Sequence, residues 1–226
     1  MKTFTTEELN QIYNKHCNLS YNYFKKYEKI LNFILPGRYV DFPRRWTVLD
    51  FIEWTHKHNI NLVDKLLITG IDQEMAYLKY NKVTMMDYNV DPIKYDLHIF
   101  DLPEKDYDFC LFSQTLEHLY NPQLAMERIY EHIKPGGYVF TSVPTNNIPH
   151  LTPIHFQHFT PMGLAILFIS TGFEVLEIGQ FGNKRYIEYI FEKLWYPTYE
   201  EIIDKDGLIP NDPAHVCQCW ILAKKI

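Results

Sequence analysis

The stretch 101–144, DLPEKDYDFCLFSQTLEHLYNPQLAMERIYEHIKPGGYVFTSVP, constrains this chain more than any other. Residues 107–113 form a short, nearly continuous apolar run, as a strand buried on both faces requires. Asn121-Pro122 reads as a helix start. Asn can accept from the first free N–H groups, and Pro at the first position has no N–H to satisfy. Leu124, Met126, Ile129, Tyr130 and Ile133 then recur at helical spacing. Pro135-Gly136-Gly137 stops that helix, and 138–143 reads as the next strand. A strand, a helix and a strand joined by short turns make a right-handed parallel crossover.

The flanking segments extend this unit. Thr5 and Glu8 form the ends of a capping box that opens a first helix. A second helical stripe runs over 20–35, and a third helix is expected with Thr47 as its cap. Strands are expected at 65–69 (followed by Gly70), at 83–86 (ending at Asp87) and at 95–100 (ending at Asp101). Beyond the crossover, Thr160-Pro161 starts a helix that stops at Gly172, and strands are expected at 173–178 and 215–223. The segments 145–159 and 179–214 read as long connections, the second holding a helix near 185–194. Such connections in compact domains tend to bind ligands or form lids. The chain therefore divides into a helical cap, 1–62, and a core, 63–226, with those two insertions. Strand–helix alternation implies an α/β fold with a doubly wound, mostly parallel sheet.

Asp101-Leu102-Pro103, Asp108, Ser113, Leu116-Glu117-His118-Leu119 and Lys134-Pro135-Gly136-Gly137, taken together, resemble the central part of the class I S-adenosylmethionine (SAM)-dependent methyltransferases, in the small-molecule branch with LEHL and KPGG segments. The resemblance implies a Rossmann-like sheet of seven strands with an antiparallel last strand, and SAM as cofactor, leaving as S-adenosylhomocysteine. It implies a small-molecule acceptor, and the last third resembles members that methylate a sugar hydroxyl of a surface glycan or its precursor. It leaves room for a homodimer. The helical front end would lie over the cofactor and acceptor.

Composition narrows the classes. A net charge of −6 argues against a nucleic-acid partner, which a basic face would serve. No apolar run is long enough to span a membrane, and the opening MKTFTTEELN is unlike a signal peptide. Cys17, Cys110, Cys217 and Cys219 show no zinc spacing and suit reduced thiols in a cytoplasmic protein.

For the cofactor, Asp87 stands after the second strand at a spacing from Gly70 that suits a ribose-binding acid. The resemblance assigns Asp101 to the adenine amino group, with Leu102 against the ring. Thr69 and Gly70 would meet the methionine end. Ser113 and Gln114 would face the sulfonium and the acceptor. The first loop departs from the family's D/E-h-G-x-G-x-G pattern: Thr69-Gly70-Ile71-Asp72-Gln73-Glu74 keeps only Gly70. Asp72 and Glu74 set like charge beside the SAM carboxylate, a repulsion on the order of a few kcal/mol unless neighbouring bases offset it. The alternative is therefore a methyltransferase-fold module that has lost SAM and serves as a binding or regulatory partner. A dehydrogenase is disfavoured, because the G-x-G-x-x-G turn is missing. His118, His155 and His158 are the candidate bases for a hydroxyl acceptor. Gln114-Thr115-Leu116-Glu117-His118 is similar to an E-x-x-E-H metal element of some methyltransferases. With Gln in the first place, Glu117-His118 reads as structural and no metal is assigned.

Overall fold

The computed structural model describes residues 2–18, 42–150, 154–202, 205, 209 and 211–226. The expected helix at 20–35 lies outside them. Six strands build one sheet: β1 (Val63–Ile68), β2 (Tyr80–Met85), β3 (Tyr107–Leu111), β4 (Ile133–Pro144), β5 (Phe173–Gly182) and β6 (Val216–Lys225). Their order is β2-β1-β3-β4-β6-β5. The first four run parallel, and β6 inserts antiparallel between β4 and β5. The mixed α/β sheet with its antiparallel last strand is the architecture expected.

The described sheet has six strands, and 95–100 is not one of them. Local side-chain bonds explain the difference. Asp87 Oδ1 accepts from Asn89 N–H, Asp91 Oδ1 from Ile93 and Lys94 N–H, and Asp96 Oδ1 from His98 N–H. Each Asp thus offers the backbone a turn in place of a ladder, and 90–99 follows with successive turns. The neighbouring β2 is largely exposed, with Lys82 on it, as suits a sheet edge.

Helices cover both faces. On one side lie α3 (Pro122–His132) and α4 (Pro161–Thr171). Met126, Ile129, Leu164 and Phe168 bury there against Leu67, Cys110, Val139 and Ile221. On the other lie α2 (Phe42–Lys57) and α5 (Lys184–Lys193). Trp46, Phe51 and Ile190 pack there against Leu66, Phe109, Phe140 and Trp220. Each such side chain contributes about 1.5–3 kcal/mol by leaving water. The helix α2, counted with the N-terminal cap from sequence, is thus a layer of the core. It also begins before Thr47: Pro43 occupies its first turn, and Thr47 Oγ1 donates back to the Pro43 carbonyl at 3.0 Å.

The caps form as read. Thr5 and Glu8 complete a reciprocal capping box on α1 (Thr6–Ile12). Asn121 Oδ1 accepts from Leu124 N–H, and Thr160 Oγ1 from Gly163 N–H. Gly172 closes α4 with φ +108°. The α3–β4 joint is tighter than expected. The helix ends at His132, and β4 begins at Ile133 and bulges through 134–137. Gly136 has φ +80°, and a Cβ on Gly137 would stand 2.7 Å from Ile133 Cγ2 and 3.0 Å from the Tyr107 carbonyl. Of the segment 179–214, residues up to Gly182 continue β5, and α5 follows; a short α6 (Tyr199–Ile202) lies further on.

Candidate active site

Strand order reverses between β1 and β3: the chain steps from β1 out to β2 and returns on the other side of β1. In open α/β sheets the crevice at such a switch point, beyond the carboxyl strand ends, takes the ligand. A cleft of about 370 Å³ opens there. That volume is in the range of small-molecule sites.

Three strand ends supply its walls. Thr69 follows β1, Asp87 follows β2, and Gln114 follows β3. Thr69 Oγ1 lies 3.0 Å from Thr115 Oγ1, which ties the first and third ends together. Gln114 adopts φ +52°, a left-handed conformation that costs a non-glycine residue about a kcal/mol or more. Its backbone N–H donates to the Ser142 carbonyl at 2.7 Å and its amide to Ser142 Oγ at 3.1 Å, and these bonds hold the conformation. Ser113 is buried behind it, and its Oγ has no hydrogen-bond partner among the described residues.

Gly70 is outside the lining, yet among the described residues a Cβ there would meet nothing within 4 Å. Packing does not require this glycine, and open space lies beside its backbone. Asp101 and Leu102 also fall outside the lining. Asp101 is exposed and paired with Lys105 at 2.7 Å, which holds its carboxyl below the usual range. Leu102 is buried and its N–H donates to His132 Nε2 at 3.0 Å. The acid that does line the cleft between Tyr95 and Leu97 is Asp96. It holds His98 through a 2.6 Å contact, and His98 stacks on Tyr120 with ring centroids 4.0 Å apart. The sequence contains both Asp96-Leu97 and Asp101-Leu102. Only the succession of Asx turns from Asp87 onward marks the earlier pair as the one kept at the crevice.

The divergent loop carries its own counter-charge. The Arg44 guanidinium on α2 lies 3.4 Å from Asp72 Oδ1 and 3.5 Å from Glu74 Oε2. Asp72 Oδ2 also accepts from Ser113 N–H at 3.1 Å. Burial pushes the Asp72 carboxyl up, and Arg44 pulls it down less strongly. The two acids absent from the usual glycine pattern are thus turned into the protein. Sequence reading found the acids and read Arg44 as a solvated charge or an anchor for an acidic or sugar acceptor, but did not pair it with them, since it is remote along the chain.

Histidines gather beside the cleft. His118 lines it; His155 and His158 do not. His150, which the sequence did not single out, joins them. His118 Nε2 is 3.1 Å from His150 Nε2, and His150 Nδ1 is 3.2 Å from His155 Nδ1. The His155 and His158 rings meet at 4.5 Å. Desolvation lowers His118 and His158, and drives His155 down to about 4. Beneath the group, Glu117 is fully buried, and burial raises its carboxyl to about 8. The Glu117 carbonyl accepts from Phe156 N–H at 2.8 Å, and Gln157 donates its amide to the Leu119 carbonyl at 2.6 Å. These bonds clamp the 154–159 loop onto the turn that follows β3.

No helix among the described residues is long and apolar enough to cross a membrane, and Cys17, Cys110, Cys217 and Cys219 are all buried free thiols.

Comparison with known proteins agrees with this geometry. A family model described as a methyltransferase domain matches residues 67–178, about half of the chain. No curated protein matches the chain significantly. A Bacillus halodurans methyltransferase candidate superposes with TM-score 0.52 at 14% identity, over 79% of this chain and 98% of that one. The Burkholderia thailandensis 1,6-didemethyltoxoflavin-N1-methyltransferase, solved with its substrate and S-adenosylhomocysteine, gives 0.50 at 14% identity, over 100% of this chain and 92% of that one. A Haemonchus contortus phosphoethanolamine N-methyltransferase 2 gives 0.52 at 11% identity, over 96% of this chain and 60% of that one. With the match over 67–178 added to the sheet order and the crevice at its switch point, this chain belongs to the class I SAM-dependent methyltransferase family.

Proposed function

We propose that the protein binds SAM in the cleft between Thr69, Asp87 and Gln114 and transfers its methyl group to a small molecule. The observation that carries this is the joining of three parallel strand ends in one crevice, with open space at Gly70 and with Arg44 offsetting the loop acids. Bound there, SAM supplies an electrophilic methyl on a sulfonium. Asp87 takes the ribose hydroxyls. Asp96, rather than Asp101, meets the adenine edge, with Leu97 in the position first given to Leu102. Thr69, Gly70 and Ser113 border the methionine end.

The acceptor enters from the side of His118, Tyr120 and Phe156. Tyr120 and Phe156 are at least half exposed and their rings stand 6.2 Å apart. Set edge to face, they offer an apolar corner against which a sugar face packs while its hydroxyl turns inward. A sugar hydroxyl of a surface glycan or its precursor is the acceptor we favour. The His118, His155 and His158 group then activates that hydroxyl, since neutral imidazoles can take a proton. The chain's remaining task is alignment of the acceptor oxygen with the methyl carbon, which the clamped 154–159 loop serves.

Calorimetric titration with SAM and S-adenosylhomocysteine tests the reading. Binding of both is expected, weakened at least about tenfold by Asp87→Ala. Absence of heat and of any thermal shift with either would favour the non-catalytic alternative.

A further inference from the structure

We infer that Glu117, His118 and His150 form a binding site for a divalent first-row transition ion, zinc by preference, in the wall of the cleft. One carboxylate oxygen and two imidazole nitrogens there lie within 4.8 Å of one another. His118 Nε2 and His150 Nε2 face each other at 3.1 Å, and Glu117 Oε1 is 3.9 Å from His118 Nε2. Two nitrogens bound to one tetrahedral ion at about 2.0–2.1 Å would stand about 3.3 Å apart, so contraction around an ion needs little movement.

The outer contacts aim these atoms. His118 Nδ1 is 3.0 Å from the Ile154 carbonyl, to which it can only donate. That bond leaves Nε2 of the neutral ring with its lone pair toward the cluster. The His150 ring is supported through its second nitrogen by His155 Nδ1 at 3.2 Å, a contact in which His150 Nδ1 can donate once its Nε2 binds an ion. Backing a ligand histidine through its second nitrogen is how metal sites fix ring and tautomer. A second observation points the same way. Glu117 is fully buried, yet among the described residues neither carboxyl oxygen meets a hydrogen-bond partner on another residue. A buried carboxyl without partners is costly, and an ion is the partner that two facing imidazoles imply.

The donor set chooses the ion class. Two imidazoles and a carboxylate suit zinc and its transition-metal neighbours, whereas magnesium and calcium prefer all-oxygen shells. Three protein ligands leave a fourth position, and His118 borders the cleft on that side. His118 then acts as a ligand in place of a base, and no metal was assigned to these residues from sequence. The site stands on the cluster's own geometry and does not require SAM binding.

The test uses the full chain after dialysis against a chelator. Titration with Co(II), followed by visible absorption, and with Zn(II), followed by calorimetry, should show one ion per chain. A net proton release near pH 7 should accompany it, because Glu117 must ionise to bind. Glu117→Gln and His150→Gln should each weaken binding at least about tenfold, and His155→Ala by roughly tenfold through the lost support. His58→Gln, far from the cluster, should bind normally. Circular dichroism of each variant separates lost ligands from lost fold. One ion bound with unaltered affinity in His150→Gln, no binding of either ion, or a preference for Mg(II) would each overturn the site. SAM titration of the same samples reports separately on the cofactor cleft.

Discussion

Glu117→Gln in metal-free protein reports directly on the buried carboxyl. The carboxyl sits at about 8 in the folded chain, against an ordinary value of 4.5, because burial disfavours its charged form. A raised acid binds its proton more tightly when folded. Below pH 4.5 both states are protonated and the group costs nothing. As pH rises past 4.5 the unfolded chain gains by ionising and the folded chain does not, so stability falls until pH passes about 8. At about 1.4 kcal/mol per pH unit the cost reaches about 3 kcal/mol at pH 7 and about 5 kcal/mol by pH 9. Gln does not titrate, so the variant should gain on the wild type by these amounts, apart from an offset independent of pH. Urea unfolding with a chelator present measures it. With an m-value of about 3 kcal/mol/M, the midpoint difference should widen by about 1 M between pH 4.5 and pH 7. Equal midpoint differences at pH 4.5, 6 and 8 would refute the reasoning, since they would mean that Glu117 ionises freely in the folded chain. With Zn(II) added in excess, the variant's advantage should shrink by about 1.4 kcal/mol for each tenfold by which it binds the ion more weakly than the wild type.

Other perturbations test other parts. Arg44→Met leaves Asp72 and Glu74 without their shared cation; SAM affinity should fall at least about tenfold and stability by about 3 kcal/mol, read by calorimetry and urea unfolding. Asp96→Asn should weaken SAM binding about tenfold while Asp101→Asn changes it less than about twofold; the reverse order would return the adenine to the later Asp-Leu pair. Gly179→Ala should destabilise by about 2–4 kcal/mol in thermal unfolding, because its Cβ would fall 2.5 Å from Asp50 Oδ2 and break the 2.8 Å bond from Trp220 Nε1. His155 should produce acid lability. With its folded value lowered to about 4 and an ordinary value of 6.5, its stabilisation is complete above pH 6.5 and lost toward pH 4, and His155→Ala should flatten that limb of the stability curve.

Local rules made the central unit readable. The Asn121-Pro122 start, the Thr160 cap and the Gly172 stop are signals carried by one or two residues, and the structure uses each as written. The apolar runs of β3 and β6 mark strands buried on both faces. Competition between local and ladder bonds was harder to see. The segment 95–100 has the apolar content of a strand, but Asp91 and Asp96 spend the neighbouring N–H groups on turns. At the cleft, Thr69, Asp87 and Gln114 were legible because each lies just beyond a strand end, and His118 because it belongs to the LEHL turn after β3. The pairings of Arg44 and His150 were not. Their partners stand 28 and 32 positions away in sequence, and no periodicity links them.

The position of β6 has a consequence for how the chain assembles. It pairs with β4 along one side and β5 along the other, although it follows both in sequence. Until 216–225 emerges from the ribosome, β5 has no neighbour to join and the parallel half ends in an open edge. Nascent chains halted before residue 216 should therefore be held by chaperones and cleaved readily within 173–182, and both liabilities should vanish together once that last strand slides into its slot.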